Sequence, residues 1–234
     1  WDAVFSGASA LLAFFLGAAL GNVVRGVPLD ASEYFFEPLW TDFGPGPRTG
    51  ILDFYTLLTG TTAFVALAVH GALWVILKSE GAVRERARDL ALRAWWAVAG
   101  LTAVCGVATF RVQPLVAEGY ARRPWMWLFP ATGVAALLLT RVFTVRRREL
   151  AAFLGSATLI AALLASTAAG IYPNVLPSQI DRAFSLTIEN AAAPPYGLRV
   201  GLLWWIPGMA LVTAYFAFAY RRHAGKRSAG GGEG

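Results

Sequence analysis

The chain has 234 residues, of which 57% are hydrophobic and 15% are charged, and its formal net charge is +6. A soluble domain carries about 25% charged residues, so this composition excludes an ordinary soluble fold and indicates a membrane protein. Lys and Arg occur in short clusters between long apolar runs, a pattern typical of membrane topology signals and not of nucleic-acid binding.

Six apolar segments reach the length of about 20 residues that a helix needs to cross a bilayer. They are too long for strands and lack polar alternation. We therefore predict an all-α polytopic bundle over residues 1–222, followed by a disordered, glycine-rich cytoplasmic tail at 223–234. The predicted spans lie near residues 3–24, 51–77, 92–112, 125–144, 150–172 and 198–220.

The distribution of basic residues predicts the orientation. The loops after the second and fourth spans and the segment after the sixth carry more Lys and Arg than the loops on the other side. The positive-inside rule places them in the cytoplasm, together with the C-terminus. The loops 25–50 and 173–197 then face outward.

The first span contains a G-x-x-x-G pair, Gly17 and Gly21. Small residues at this spacing let two helix backbones approach closely in lipid. The pair therefore marks one face of the first span as a helix-packing surface.

His70 is the candidate buried polar residue, because it lies well inside the second span. A histidine at this depth serves as a haem ligand, a proton relay or a hydrogen-bonded packing residue. A haem held by two axial histidines needs a second one on a facing helix, and the other histidine, His223, lies in the tail. The sequence therefore favours the packing role.

Three charged residues stand near span ends. Asp2, at the cytoplasmic entrance of the first span, suits either a proton path or an ordinary interfacial carboxylate favoured by the helix dipole. Asp53 fits the start of the second span, as a helix cap. Arg25 closes the first span, where we interpret it as a cation that anchors the helix at the interface.

No metal-binding cluster and no soluble-enzyme motif occurs in the sequence, and Cys105 is a lone cysteine within an apolar run. The residue chemistry alone leaves two possibilities open, a subunit of a membrane complex and a transporter.

Several strings carry a more specific resemblance, and they occur in order along the chain: residues 21–30 (GNVVRGVPLD), 69–74 (VHGALW), 172–178 (YPNVLPS), 185–187 (SLT), 190–192 (NAA), 195–198 (PYGL) and 204–208 (WWIPG). Together they resemble subunit II of cytochrome bd-type quinol oxidases, including the cyanide-insensitive branch. The resemblance extends to about residue 222. That subunit has eight membrane helices, so the resemblance implies an N-terminally truncated chain that contains the last six.

The resemblance implies a role in a two-subunit terminal oxidase of the prokaryotic inner membrane, which oxidises quinol and reduces dioxygen to water. In this family haem b, with or without haem d, and the quinol-oxidising loop belong to subunit I. We therefore predict no catalytic residue, haem or metal on this chain; its partners are subunit I, lipid and quinol, and it has no nucleic-acid partner. Asp2 is carried over as a proton-path or assembly residue. The alternatives are a secondary transporter, which needs polar residues at mid-membrane depth, and a purely structural membrane subunit.

Overall fold

The computed structural model describes residues 1–32, 34–44 and 49–222, so the predicted tail lies outside the described part. Six helical segments in this part are long and apolar enough to cross a membrane, which confirms the predicted all-α polytopic fold. The helices are α1 (Asp2–Arg25), α2 (Phe54–Lys78), α3 (Gly81–Val112), α4 (Pro114–Arg122), α5 (Leu128–Val145), α6 (Glu149–Ile171) and α7 (Pro195–Arg222). A 3₁₀ turn at Pro124–Trp127 precedes α5, and a second lies at Arg182–Phe184.

The third helix is longer than its predicted span, because it begins at Gly81 and not near residue 92. Its first turns are rich in Ala and Arg, which favour helix, and the arginines lower the local hydropathy. Arg84 and Arg88 therefore lie on a helix, where the sequence suggested a loop.

A short helix, α4, was not predicted. It begins with Pro114 in its first turn, where a missing N–H costs nothing. The Gln113 side chain accepts a hydrogen bond from the Leu115 N–H at 3.4 Å and caps this helix. At nine residues it is too short to span a membrane.

α2 packs against α1, α3 and α6, and α5 packs along α6. The main core joins α2, α3, α5 and α6 around Val69, Leu73, Val98 and Leu159. The predicted G-x-x-x-G face meets α2: a Cβ atom on Gly17 would lie 2.9 Å from the Thr59 carbonyl oxygen.

The bundle has two ends, which we name after buried arginines. At the Arg25 end, α1 ends and α2 begins; at the Arg88 end, α2 ends and α3 begins. The Arg25 end also carries an antiparallel hairpin, in which β1 (Asn174–Leu176) pairs with β2 (Leu186–Thr187). A bridge between Val27 and Ser178 holds this segment over the end of α1.

The last helix stands apart from the others. None of the residues of α7 is buried, and its ring contact to the bundle joins Tyr220 to Trp74 at a centroid distance of 6.0 Å. An apolar helix with this exposure is stable only against lipid or another protein.

Candidate functional site

The strongest polar feature of the described residues is a buried ion cluster at the Arg25 end. Its side chains come from the last turn of α1, the segment after it and the residue before α2. We call it the Arg25 cluster; it comprises Asn22, Arg25, Glu37, Thr49 and Asp53. The side chains of Arg25, Glu37 and Asp53 are 1%, 3% and 0% exposed.

Every N–H of the Arg25 guanidinium has an acceptor. Nη2 donates to Glu37 Oε1 at 2.9 Å and to Asn22 Oδ1 at 2.7 Å. Nη1 donates to Asp53 Oδ2 and to the Gly50 carbonyl, and Nε donates to the Gly26 carbonyl at 3.3 Å. Because a guanidinium has five donors, this cation is fully satisfied. Arg25 closes α1 as interpreted from the sequence, but its side chain is buried in an ion cluster and does not reach the membrane interface.

Two carboxylates share this one guanidinium, and local structure stabilises the second negative charge. Asp53 is the N-cap of α2: its Oδ1 accepts from the Thr56 N–H at 2.7 Å, and Thr56 Oγ1 accepts from the Asp53 N–H at 2.8 Å. The positive end of the α2 dipole favours an anion there, and the negative end of α1 favours Arg25. The predicted helix-start role of Asp53 is thus present, combined with a buried ion pair.

Polar contacts connect the Arg25 cluster to the rest of this end. The Thr49 hydroxyl lies 3.0 Å from Glu37 Oε1 and 2.9 Å from Gln179 Oε1. Gln113 Nε2 donates to the last carbonyls of α1, those of Val24 and Arg25, at 3.0 Å each. A cleft of about 400 Å³ opens beside Arg25, Gln113 and Gln179. One ion cluster therefore fixes α1, α2, the start of α4 and the 173–194 segment together.

His70 lies between α2 and α6. Its Nδ1 is 2.7 Å from Ser156 Oγ, and its ring stacks on Phe153 at 4.6 Å between centroids. Ser156 Oγ donates to the Phe153 carbonyl at 2.7 Å. This contact joins α2 to α6 through His70 Nδ1 and Ser156 Oγ. The geometry is that of a helix-packing hydrogen bond.

Asp2 occupies the first residue of α1 and is exposed. Within the described residues its carboxylate forms no ion pair or side-chain hydrogen bond. The structure does not bring Asp2 together with His70 or with the Arg25 cluster, which lies at the other end of α1.

A second ion cluster stabilises the Arg88 end. Glu149, the first residue of α6, pairs with Arg84 and, at 3.3 Å, with Arg88. Arg88 Nη1 also donates to the Thr144 carbonyl at 3.1 Å, and Arg147 pairs with Glu85 at 3.0 Å. We call these five charged residues the Arg88 cluster. Sequence reasoning counted its arginines as topology signals and missed their partners.

We next consider whether the described residues could bind a metal ion or a haem. They contain no group of three or more His, Cys, Asp and Glu side chains placed to hold a metal ion. His70 is the single histidine in this part, with Nδ1 and one ring face already engaged. These residues do not fit a haem with two axial histidines.

Comparison with known proteins points to one family. The family described as cytochrome bd terminal oxidase subunit II matches residues 1–223. A probable cytochrome oxidase subunit 2 from Haemophilus influenzae is 25% identical in an alignment 254 positions long, which covers 98% of this chain and 66% of the relative. Subunit 2 of cytochrome bd-I ubiquinol oxidase from Escherichia coli K12 is also 25% identical, over 97% of this chain and 65% of its own length.

A third relative, of slightly lower identity, is also an oxidase subunit 2. Subunit 2 of cytochrome bd ubiquinol oxidase from Bacillus subtilis is 23% identical over 86% of this chain and 56% of its own length. The chain therefore spans between 56% and 66% of the length of these curated relatives.

Proposed function

Because the chain belongs to the cytochrome bd terminal oxidase subunit II family, we propose that it works as subunit II of a membrane quinol:dioxygen oxidoreductase. The observation that carries the proposal is the match over residues 1–223, which includes every membrane helix of the described part. The transporter alternative has no support from the relatives, all of which are named as oxidase subunits.

We propose that a haem-bearing subunit I covers part of the exposed apolar surface. The first turns of α1 expose Val4 and Phe5, which are 68% and 75% exposed, and α7 exposes Trp204 at 77%. Aromatic side chains of this size are frequent anchors in protein interfaces. These two helices are therefore the surfaces at which we expect the partner.

We propose that haem b, with or without haem d, is held by that partner and supplies the electron transfer and oxygen chemistry. On this chain, the engaged Nδ1 of His70 supports a structural role for the histidine. His70→Ala is expected to lower stability and to leave the haem content of the purified complex unchanged. Loss of a haem signal with retained assembly would contradict this assignment.

Asp2 is proposed as a proton-path or assembly residue. Its exposed carboxylate at the start of α1 suits either role, since it is accessible to water or to a partner cation. Asp2→Asn separates the two roles: lower turnover in a fully assembled complex indicates the proton path, whereas loss of subunit I on purification indicates assembly. Unchanged turnover and assembly would exclude both.

We also propose the prokaryotic inner membrane as the location, with the Arg88 end and the C-terminus in the cytoplasm. The arginines of the Arg88 cluster support this orientation under the positive-inside rule. A reporter fused after Arg222 that is active only outside the cytoplasm is expected to be inactive.

The main experiment is affinity purification of the natural protein that contains this chain, in mild detergent, with an optical spectrum. We expect a second polypeptide and the absorbance bands of reduced haem. A colourless protein that purifies alone would contradict the proposal.

A further inference from the structure

A second cleft, of about 550 Å³, lies on the side of the bundle at the Arg25 end, between the 3₁₀ turn before α5 and the last turns of α6. Small side chains of α6 form one wall, namely Ala165, Ala168 and Ala169, and larger apolar side chains form the other, including Trp125 and Phe129. Ala168 and Trp125 are exposed, so the cleft opens to the side where hydrocarbon surrounds a membrane protein.

One cation lies at the mouth of this cleft. Arg123 is half-buried and stacks its guanidinium over the Tyr172 ring, 4.6 Å from the ring centroid. Stacking uses the flat face of a guanidinium and leaves the N–H groups at its edge available. Within the described residues, no carboxylate lies within ion-pair distance of Arg123.

Two neighbouring arginines have an acidic partner that Arg123 lacks. Arg122 pairs with Glu118 at 3.7 Å, and Arg182 pairs with the same carboxylate at 2.9 Å. Glu118 therefore serves Arg122 and Arg182, and it does not pair with Arg123. Arg123 has an aromatic ring and an apolar cleft, which together suit a ligand with an anionic head and a hydrocarbon tail.

The position and length of the cleft fit one leaflet of a membrane. Trp125 and Tyr172, which line the cleft, are 63% and 40% exposed, as in the aromatic belt at a membrane–water interface. From Tyr172 to Ala165 the α6 wall descends about 10 Å, given a rise of about 1.5 Å per residue. That is well over half of the roughly 15 Å of hydrocarbon in one leaflet.

We propose that this cleft binds an anionic phospholipid, with the phosphate on the edge of the Arg123 guanidinium and an acyl chain between Ala168 and Phe129. Charge complementarity selects the head, because an arginine edge donates two parallel hydrogen bonds to a phosphate. The small side chains of α6 leave the space for the tail. The site is independent of the oxidase activity proposed above.

The test is native mass spectrometry of the protein purified from membranes with its natural subunits. The protein is exchanged into phosphatidylcholine nanodiscs that contain phosphatidylglycerol. Arg123→Gln is expected to lower retained phosphatidylglycerol about tenfold, the size of one lost charge-assisted interaction, without changing retained phosphatidylcholine. Arg122→Gln is the matched control and is expected to change neither.

Three further variants extend the test. Ala168→Trp fills the cleft and is expected to lower retention of both lipids, whereas Ala161→Trp, on an exposed position two turns away on α6, is expected to lower neither. Arg123→Lys keeps the charge without the planar edge and is expected to retain an intermediate amount. Equal effects of the two glutamine variants, equal loss of both lipids in Arg123→Gln, or full retention in Ala168→Trp would each overturn the proposal.

Discussion

The two ends of the bundle use the same chemistry in different surroundings. At the Arg25 end, the guanidinium is 1% exposed and all its donors have acceptors. At the Arg88 end, the Arg88 and Glu149 side chains are 6% and 10% exposed, whereas Arg84 and Glu85 are 25% and 48% exposed. The buried Nε atoms of Arg84 and Arg88 have no hydrogen-bond partner within the described part of the chain.

The two clusters are expected to contribute differently to the stability of the fold. A desolvated ion pair costs much to form and much more to break, since losing one partner leaves a buried charge alone. A partly exposed ion network is screened by water and salt. We therefore expect the ion pairs at the Arg25 end to stabilise the bundle strongly and with little dependence on salt. Those at the Arg88 end should stabilise it less and depend more on salt.

The largest effect is expected from Arg25→Gln. It leaves Glu37 and Asp53 buried without their cation, so the free energy of unfolding should fall by about 3–5 kcal/mol. Titration with SDS, followed by the helical circular dichroism of the purified protein, measures this loss. A loss below about 1 kcal/mol, the range of exposed pairs, would mean that the Arg25 end is solvated like the Arg88 end.

A steric change is also expected to destabilise the Arg25 end, by separating α1 from α2. A Cβ atom on Gly21 would lie 3.2 Å from the Thr56 Cα and would collide with Thr59 Oγ1. Gly21→Leu should push α1 away from α2 one turn before Arg25 and cost about 2–3 kcal/mol. Gly7→Leu is the control on the same helix, because nothing lies within 4 Å of its Cβ position. Equal stability of the two variants would contradict the close packing of α1 on α2.

Glu149→Gln tests the Arg88 end. The change removes the carboxylate shared by Arg84 and Arg88. We expect a loss of about 1–2 kcal/mol, because Arg88 and Glu149 are 6% and 10% exposed while their neighbours Arg84 and Glu85 bring water to the network. Raising the salt concentration should shrink this loss and leave the Arg25→Gln loss nearly unchanged. The same salt dependence at both ends would remove the distinction between them.

The smallest effect is expected at the surface of the Arg25 end, between Glu118 and Arg182. Arg182 donates to both carboxylate oxygens, at 2.9 and 3.2 Å, and this contact lowers the pKa of Glu118 below its usual 4.5. A lowered pKa in the folded state means that the pair stabilises the 173–194 segment above about pH 4.5 and that this contribution is lost as the pH falls below it.

Hydrogen exchange of the 182–190 amides as a function of pH measures this contribution. We expect faster exchange, after correction for the intrinsic rate, as the carboxylate protonates. Glu118→Gln should abolish the pH dependence, and Asp42→Asn, in another exposed segment, should preserve it. A pH dependence that survives in Glu118→Gln would assign it to another group.

Much of the fold was predictable because each membrane helix carries its own signal, namely about 20 consecutive apolar residues. The G-x-x-x-G pair also identified the packing face of α1 from sequence alone. The extension of α3 before residue 92 was missed, since charged helical turns outside the hydrocarbon have no hydropathy signal. The same reason applies to α4.

The polar site was harder to predict, because its partners are distant in sequence. Arg25 meets Glu37 and Asp53 across a segment without regular periodicity, and His70 meets Ser156 on another helix. Sequence spacing gives no distance across such segments. The one available signal was the presence of two carboxylates and an arginine near adjacent helix ends, which favours pairing over exposure when the loop folds back.

The most direct test of the proposed oxidase role is oxygen uptake by the purified natural complex that contains this chain, driven by added quinol. We expect quinol-dependent oxygen consumption that is lost when this chain is removed or when Arg25→Gln destabilises it. A haem-bearing complex whose oxygen consumption is unchanged without this chain, or a preparation without quinol-dependent uptake, would contradict it.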